Sequence, residues 1–136
     1  MKLSAKSEYA CLAMIELAKR SSGDPPARVH EIAEEHKIPE RYLVQILLQL
    51  KGAGLVSSVR GSMGGYLLAK PAETIALADI LTAIDGPESD PRERDGPSAR
   101  ALASVWANIR AAERAVLMST TIDKLVCAET PQEWVI

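Results

Sequence analysis

The sequence predicts a mainly α-helical fold with a small β-hairpin and one long helix set apart toward the C-terminus. Three observations predict it. Between Pro39 and Lys70, PERYLVQILLQLKGAGLVSSVRGSMGGYLLAK, a helical run gives way to two β-prone runs around a glycine-rich turn. Ahead of that block, two stretches place apolar residues at helical spacing. Behind it, Ala99 to Ser119 repeats apolar residues by threes and fours.

Ser7 to Arg20 reads as the first helix, with Ser7 able to cap it and Tyr9, Leu12, Ala13, Ile15 and Leu17 as a broad apolar face. Lys19 and Arg20 fall in the last turn, where the helix dipole favours cations. Ser21 to Pro26 is a loop by composition, and Arg28 and Val29 read as a short extended piece. His30 to His36 is a second helix, with Ile32 and Ala33 inward and Glu31, Glu34 and Glu35 in water. Lys37 and Ile38 turn the chain into a third helix at Pro39, whose missing amide proton suits a first turn. Its inner face is Leu43, Ile46, Leu47 and Leu50, while Arg41, Val44, Gln45, Leu48 and Gln49 point outward. Gly52 and Gly54 stop it. Leu55 to Val59 and Tyr66 to Leu68 then form a hairpin with RGSMGG at its tip. Two helices joined by a few residues and followed by such a hairpin read as a winged helix-turn-helix domain over residues 1–85.

Pro71 ends the second strand, and a short helix from Leu77 to Ile84 turns Ile80, Leu81 and Ile84 inward. Residues 86–97, GPESDPRERDGP, hold three prolines and two glycines with almost no apolar side chain, so they read as a charged linker. Residues 98–136 read as a dimerisation helix and C-terminal tail. Leu102, Val105, Ile109, Ala112 and Val116 form its seam, with Trp106 beside it. So small a domain offers that stripe little to pack on, whereas a two-fold dimer buries it. Thr121 to Cys127 is a last short helix, and the tail reads as weakly ordered, with Trp134 a candidate for packing.

At 136 residues and 47% hydrophobic, the chain suits one domain, or one domain with an oligomerisation arm. No apolar run approaches a bilayer span, and Glu8 and Glu16 interrupt what a signal peptide needs as its core, so no membrane partner and a cytoplasmic location are expected. Cys11 and Cys127 stand outside any CxxC or Cys/His spacing. Cys11 reads as a buried structural thiol, Cys127 as the more reactive of the two, and His30 and His36 as surface residues. No catalytic constellation, metal site or cofactor site is readable, so an enzyme is not expected. The net charge of −2 argues against a general nucleic-acid binder, but its distribution matters more. Residues 37–70 carry five cations against the single carboxylate of Glu40, whereas residues 71–97 carry seven carboxylates against two arginines. A basic face followed by an acidic segment fits local phosphate binding.

In a helix of this kind the N-terminal outward residues reach base edges. Arg41 can fork onto a guanine and Gln45 onto an adenine or a phosphate, while Tyr42 can offer its hydroxyl to a phosphate. Arg60, followed by Gly61 and Ser62 and then Gly64 and Gly65, is an arginine on a slim hairpin tip, able to enter a narrow minor groove. Taken alone, the helix also reads as an ordinary surface helix and the tip as a plain turn. A phosphate-binding nucleotide loop is disfavoured, because RGSMGG lacks the GK[ST] ending and leads into no helix.

MKLSAKSEYACLAMIELA, HEIAEEHKIPERYLVQILLQLKGAGLVSSVRGSMGGYLLAKP and IALADILTAIDGP together resemble the Rrf-type family of bacterial winged-helix regulators, which includes iron–sulfur, nitric-oxide and cysteine-metabolism regulators. The resemblance runs from the first residue to about Pro87, and the long helix and TIDKLV continue it. It implies a homodimer crossed by the long helix and bound to a partly palindromic operator. The family's major-groove positions fall on Arg41, Val44 and Gln45, and its minor-groove arginine on Arg60, followed by Gly61. Its phosphate contacts fall near Lys2, Ser4, Tyr42 and Ser57. Cluster-binding members carry three cysteines between the short and the long helix. Here residues 86–105 contain no cysteine and no histidine, and Glu8, which matches an acidic cluster ligand of some relatives, cannot hold a cluster without thiolates. The expectation is therefore a sequence-specific DNA-binding transcriptional regulator, a repressor. It works as a homodimer on double-stranded DNA, under an unknown signal other than a conventional iron–sulfur cluster. An unidentified small-molecule effector stays open as a partner. A protein-binding adaptor and a thiol-based redox sensor on the same fold are the alternatives.

Overall fold

The computed structural model describes residues 3–20, 23–87 and 94–129. Lys2, residues 88–93 of the expected linker and Trp134 lie outside the described residues. The elements are α1 (Ala5–Ala18), α2 (Val29–His36), α3 (Glu40–Gly52), β1 (Val56–Val59), β2 (Gly65–Leu68), α4 (Leu77–Asp85), α5 (Pro97–Ser119) and α6 (Ile122–Glu129), with a 3-10 turn at Ala72–Thr74.

The first helix starts a turn earlier than its sequence suggests. Ser4, in an extended conformation, accepts the Ser7 amide on its hydroxyl oxygen at 3.0 Å and so takes the capping place expected of Ser7. Ser7 is fully buried, and its hydroxyl donates to the carboxylate of Asp85 at the end of α4. Ala10, Ala13, Met14 and Leu17 are the buried face of α1, while Tyr9, Leu12 and Ile15 keep partial exposure. Two alanines on the inner face let the neighbouring helices approach closely.

The turn between α2 and α3 is made by Lys37, a non-glycine residue at φ 53°. A left-handed residue of this kind costs about 1–2 kcal/mol. Ile38 follows it into the core and donates its amide to the Ala33 carbonyl at 2.9 Å, which helps to offset that cost. Pro39 stands just before α3 rather than within its first turn, and its carbonyl accepts the Leu43 amide at 3.0 Å. Leu43, Ile46, Leu47 and Leu50 are all fully buried, each contributing about 1.5–3 kcal/mol of hydrophobic stabilisation.

β1 and β2 pair antiparallel, with Val56 opposite Leu68 and Val59 opposite Gly65. A single extended residue covers the far edge of β2: Ala27 exchanges two hydrogen bonds with Tyr66, at 2.9 and 2.7 Å. The extended piece expected at Arg28 and Val29 is shifted by one residue: it covers Ala27 and Arg28, which stands at the entry of α2, and Val29 is already helical.

His36 is not the surface residue the sequence suggested. Its side chain is 15% exposed, with Nε2 at 3.5 Å from a carboxylate oxygen of Glu16. After α5, the chain returns to the same core: Ile122 is fully buried and donates its amide to Ile75 at 2.9 Å. α5 itself buries none of its residues. Among the described residues, no helix is long and apolar enough to cross a membrane.

Candidate nucleic-acid interface

The outward face of α3 follows from the inner one. With Leu43, Ile46, Leu47 and Leu50 committed to the core, the 3.6-residue period leaves Arg41, Tyr42, Val44, Gln45 and Leu48 exposed, and Gln49 half-buried. Tyr42 lies edge-on against Tyr9 of α1, ring centroids 5.9 Å apart and planes at 89°. An open groove of about 650 Å³ runs between the starts of α1 and α3, lined by Ala5, Tyr9, Pro39, Arg41, Tyr42 and Gln45. Its floor is aromatic and its rim carries donors, which suits a sugar–phosphate backbone. Ser4 lies at the exposed start of α1, but its hydroxyl proton goes to Ser7 Oγ at 3.0 Å.

The hairpin supplies the second part. Ser57 is exposed on β1 opposite Leu67. Arg60, Gly61, Ser62 and Met63 are exposed at the tip, which Gly64 closes by donating its amide to the Gly61 carbonyl at 3.0 Å. Gly61 has φ 106°, a conformation that glycine adopts without strain. Gly64 and Gly65 serve differently. A Cβ on Gly64 would stand 2.1 Å from the Val59 carbonyl oxygen, and one on Gly65 would stand 2.4 Å from that of Ala27. Gly64 is buried and Gly65 half-buried, so both act as the framework of the tip.

Arg28 is a member of this region that sequence reasoning missed. Its guanidinium donates to the Ser62 carbonyl, so the entry of α2 touches the wing tip. The two residues are far apart in the chain, and no local pattern announces their contact.

On α5, Leu102, Val105, Ile109 and Val116 are 44–61% exposed, and Ala112 and Trp106 are exposed beside them. The stripe is continuous along the helix, and among the described residues nothing buries it.

Metal chemistry has little to use. Among the described residues, no group of three or more His, Cys, Asp or Glu is placed to hold a metal ion. Cys11 is half-buried on α1, where burial, then Glu8, then Asp85, push its thiol up from 9.0 to about 11. Cys127 is exposed on α6. With no thiol or imidazole between 86 and 105, this donor set does not fit an iron–sulfur cluster.

Comparison with known proteins places the geometry in context. The sequence model of the Rrf2 family, described as an iron-dependent transcriptional regulator, matches residues 3–128. The HTH-type transcriptional regulator CymR of Bacillus subtilis is 40% identical over 127 residues, spanning 92% of this chain and 89% of its own. The solved structure of CymR, the global cysteine regulator of B. subtilis, superposes with a TM-score of 0.84 at 37% identity, covering 96% of this chain and 99% of that one. IscR of T. potens superposes with a TM-score of 0.80 at 32% identity, covering 98% and 95%.

Proposed function

The chain belongs to the Rrf2 family of transcriptional regulators, and from that premise we propose that it is a DNA-binding repressor working as a homodimer on a partly palindromic operator. In this reading α3 enters the major groove and the hairpin reaches an adjacent minor groove. Arg41, Val44 and Gln45 read base edges. Arg60, with Gly61 and Ser62 at the slim tip that Gly64 and Gly65 shape, enters the minor groove. Tyr42, Ser57, Lys2 and Ser4 supply phosphate contacts. The observation that carries the reading is the joint exposure of Arg41, Val44 and Gln45 on α3, whose inner face is fully buried, and of Arg60 on the hairpin tip.

Dimerisation through Leu102, Val105, Ile109, Ala112 and Val116 covers the bare stripe of α5 and sets two α3 helices at a fixed spacing. A signal that changes this spacing changes operator affinity by linkage. The cysteine content directs the signal away from a conventional cluster and toward a small molecule or thiol chemistry.

The test is selection of duplexes from a random pool by the full-length protein, followed by affinity measurements on the enriched sequence. A two-fold related sequence is expected. Arg41→Ala and Gln45→Ala each relax base preference at one position per half-site, and cost about 1–3 kcal/mol per contact. If no sequence is enriched and the substitutions leave DNA affinity unchanged, the proposal fails, and a protein-binding role for the same face becomes the better account.

A further inference from the structure

We propose that Arg28 is a positioning residue for the wing, holding the tip so that Arg60 meets DNA at a set reach and angle. The proposal rests on the reading of Arg60 given above. Arg28 occupies the N-cap of α2, where its side chain makes no capping hydrogen bond. Arginine is a poor choice there on helix grounds: caps favour small oxygen-bearing side chains, and the positive end of the dipole repels a cation. Its guanidinium turns instead to the Ser62 carbonyl at the wing tip. The preceding residue, Ala27, grips the returning strand just behind the tip through both of its hydrogen bonds to Tyr66, the partner of Ser58. Residues 27 and 28 thus hold the returning arm at two points, Tyr66 and Ser62, on either side of the closely packed Gly65.

Two points of attachment do what one cannot. A two-stranded hairpin is marginal by itself, and one gripped only along its strand leaves the loop beyond free to pivot. Holding the tip carbonyl as well fixes the tilt of the loop. Arg60 lies two residues before Ser62 in that loop, so its approach to a groove is set before DNA arrives. Pre-ordering of this kind raises affinity by lowering the entropy cost of binding, with no contact from Arg28 to the nucleic acid.

The experiment is a double-mutant cycle in the full chain, on the duplex that the wild-type protein selects. Arg60→Ala is expected to weaken binding about tenfold. Arg28→Ala alone is expected to weaken it by no more than that, and to add less than about twofold in the Arg60→Ala background, because the tip then has no arginine to place. In free protein, Arg28→Ala is expected to speed amide exchange at residues 60–65 without lowering the melting temperature. Additive losses, with the slope of log affinity against log salt reduced by about 1.8 in Arg28→Ala (about 0.9 for each protomer), mean a direct phosphate contact and overturn the proposal. So does an Arg28→Ala protein that binds like wild type while Arg60→Ala is weakened. If Arg60→Ala is itself silent, the minor-groove reading of the wing fails, and the role of Arg28 falls with it.

Discussion

At Gly65 a methyl group has nowhere to go: its carbon would stand 2.4 Å from the Ala27 carbonyl oxygen and 3.1 Å from the carbonyl carbon of Pro26. Gly65→Ala must therefore separate β2 from Ala27, breaking two hydrogen bonds or straining the strand. We expect a loss of about 2–3 kcal/mol in urea unfolding. Gly52 is the control, with open space at its Cβ position; Gly52→Ala should gain about 0.4–1 kcal/mol through the unfolded chain. Equal stability of the two variants would refute the close approach. Cys11 gives a second residue-scale prediction. Its folded-state value of about 11 lies above its ordinary 9.0, through burial first and then Glu8 and Asp85. Below pH 9 both folded and unfolded chains keep the proton and the contribution is intact. As pH rises from 9 to 11 the unfolded chain ionises first, and up to about 2–3 kcal/mol is lost. Cys11→Ala should flatten that alkaline limb, and an unchanged limb would count against the buried thiol. The sequence made RGSMGG legible as a turn, yet it hid why Gly65 is needed, because Ala27 lies far from it in the chain. The Arg28 contact was hidden for the same reason. Ser7 read as the cap of α1, but it is drawn inward by Asp85, a partner on another helix, and Ser4 caps instead.

Elements were more legible than contacts, because burial of one face repeats locally along a helix. The inner residues of α3 read from spacing are the four that the fold buries completely. The same periodicity on α5 marks a face that the fold leaves bare, and a pattern alone cannot distinguish the two cases. Where α6 goes was not legible at all: eight residues supply an inward face but not its address, which is set by the Ile122 amide on Ile75, Leu125 against the core and Glu129 with Lys19 of α1. The bare stripe leads to a prediction about the element as such. Ile109 lies near the middle of α5 and is 44% exposed, so Ile109→Asp takes nothing from the buried core of the described residues. In a dimer it would place two carboxylates in an apolar seam. Sedimentation should show a dimer for the wild type and a monomer for the variant, with helical content unchanged by circular dichroism. A wild-type monomer at micromolar concentration would remove the assigned role of the stripe.

For the whole molecule, net charge is a poor guide and charge placement a good one. The chain carries −2 overall, yet residues 37–70 hold Lys37, Arg41, Lys51, Arg60 and Lys70 against Glu40 alone. All five cations are exposed. The proposed two-fold dimer would double this set and present both copies to one duplex, with the carboxylate-rich segment that follows disfavouring DNA elsewhere. Counterion release then sets the salt response. If about three cations per protomer meet phosphates, the dimer makes about six contacts, and log affinity falls with log salt at a slope of about −5. Between 50 and 200 mM salt that is a loss of about a thousandfold. Lys51→Ala or Lys70→Ala should flatten the slope by up to about two contacts' worth, one from each protomer, and leave the preferred sequence unchanged. A slope near zero would mean that the basic block does not face phosphate. The exposed surface of α3 would then have to be read as a site for protein, since a face that neutralises DNA phosphates releases their condensed counterions and so must weaken as salt rises.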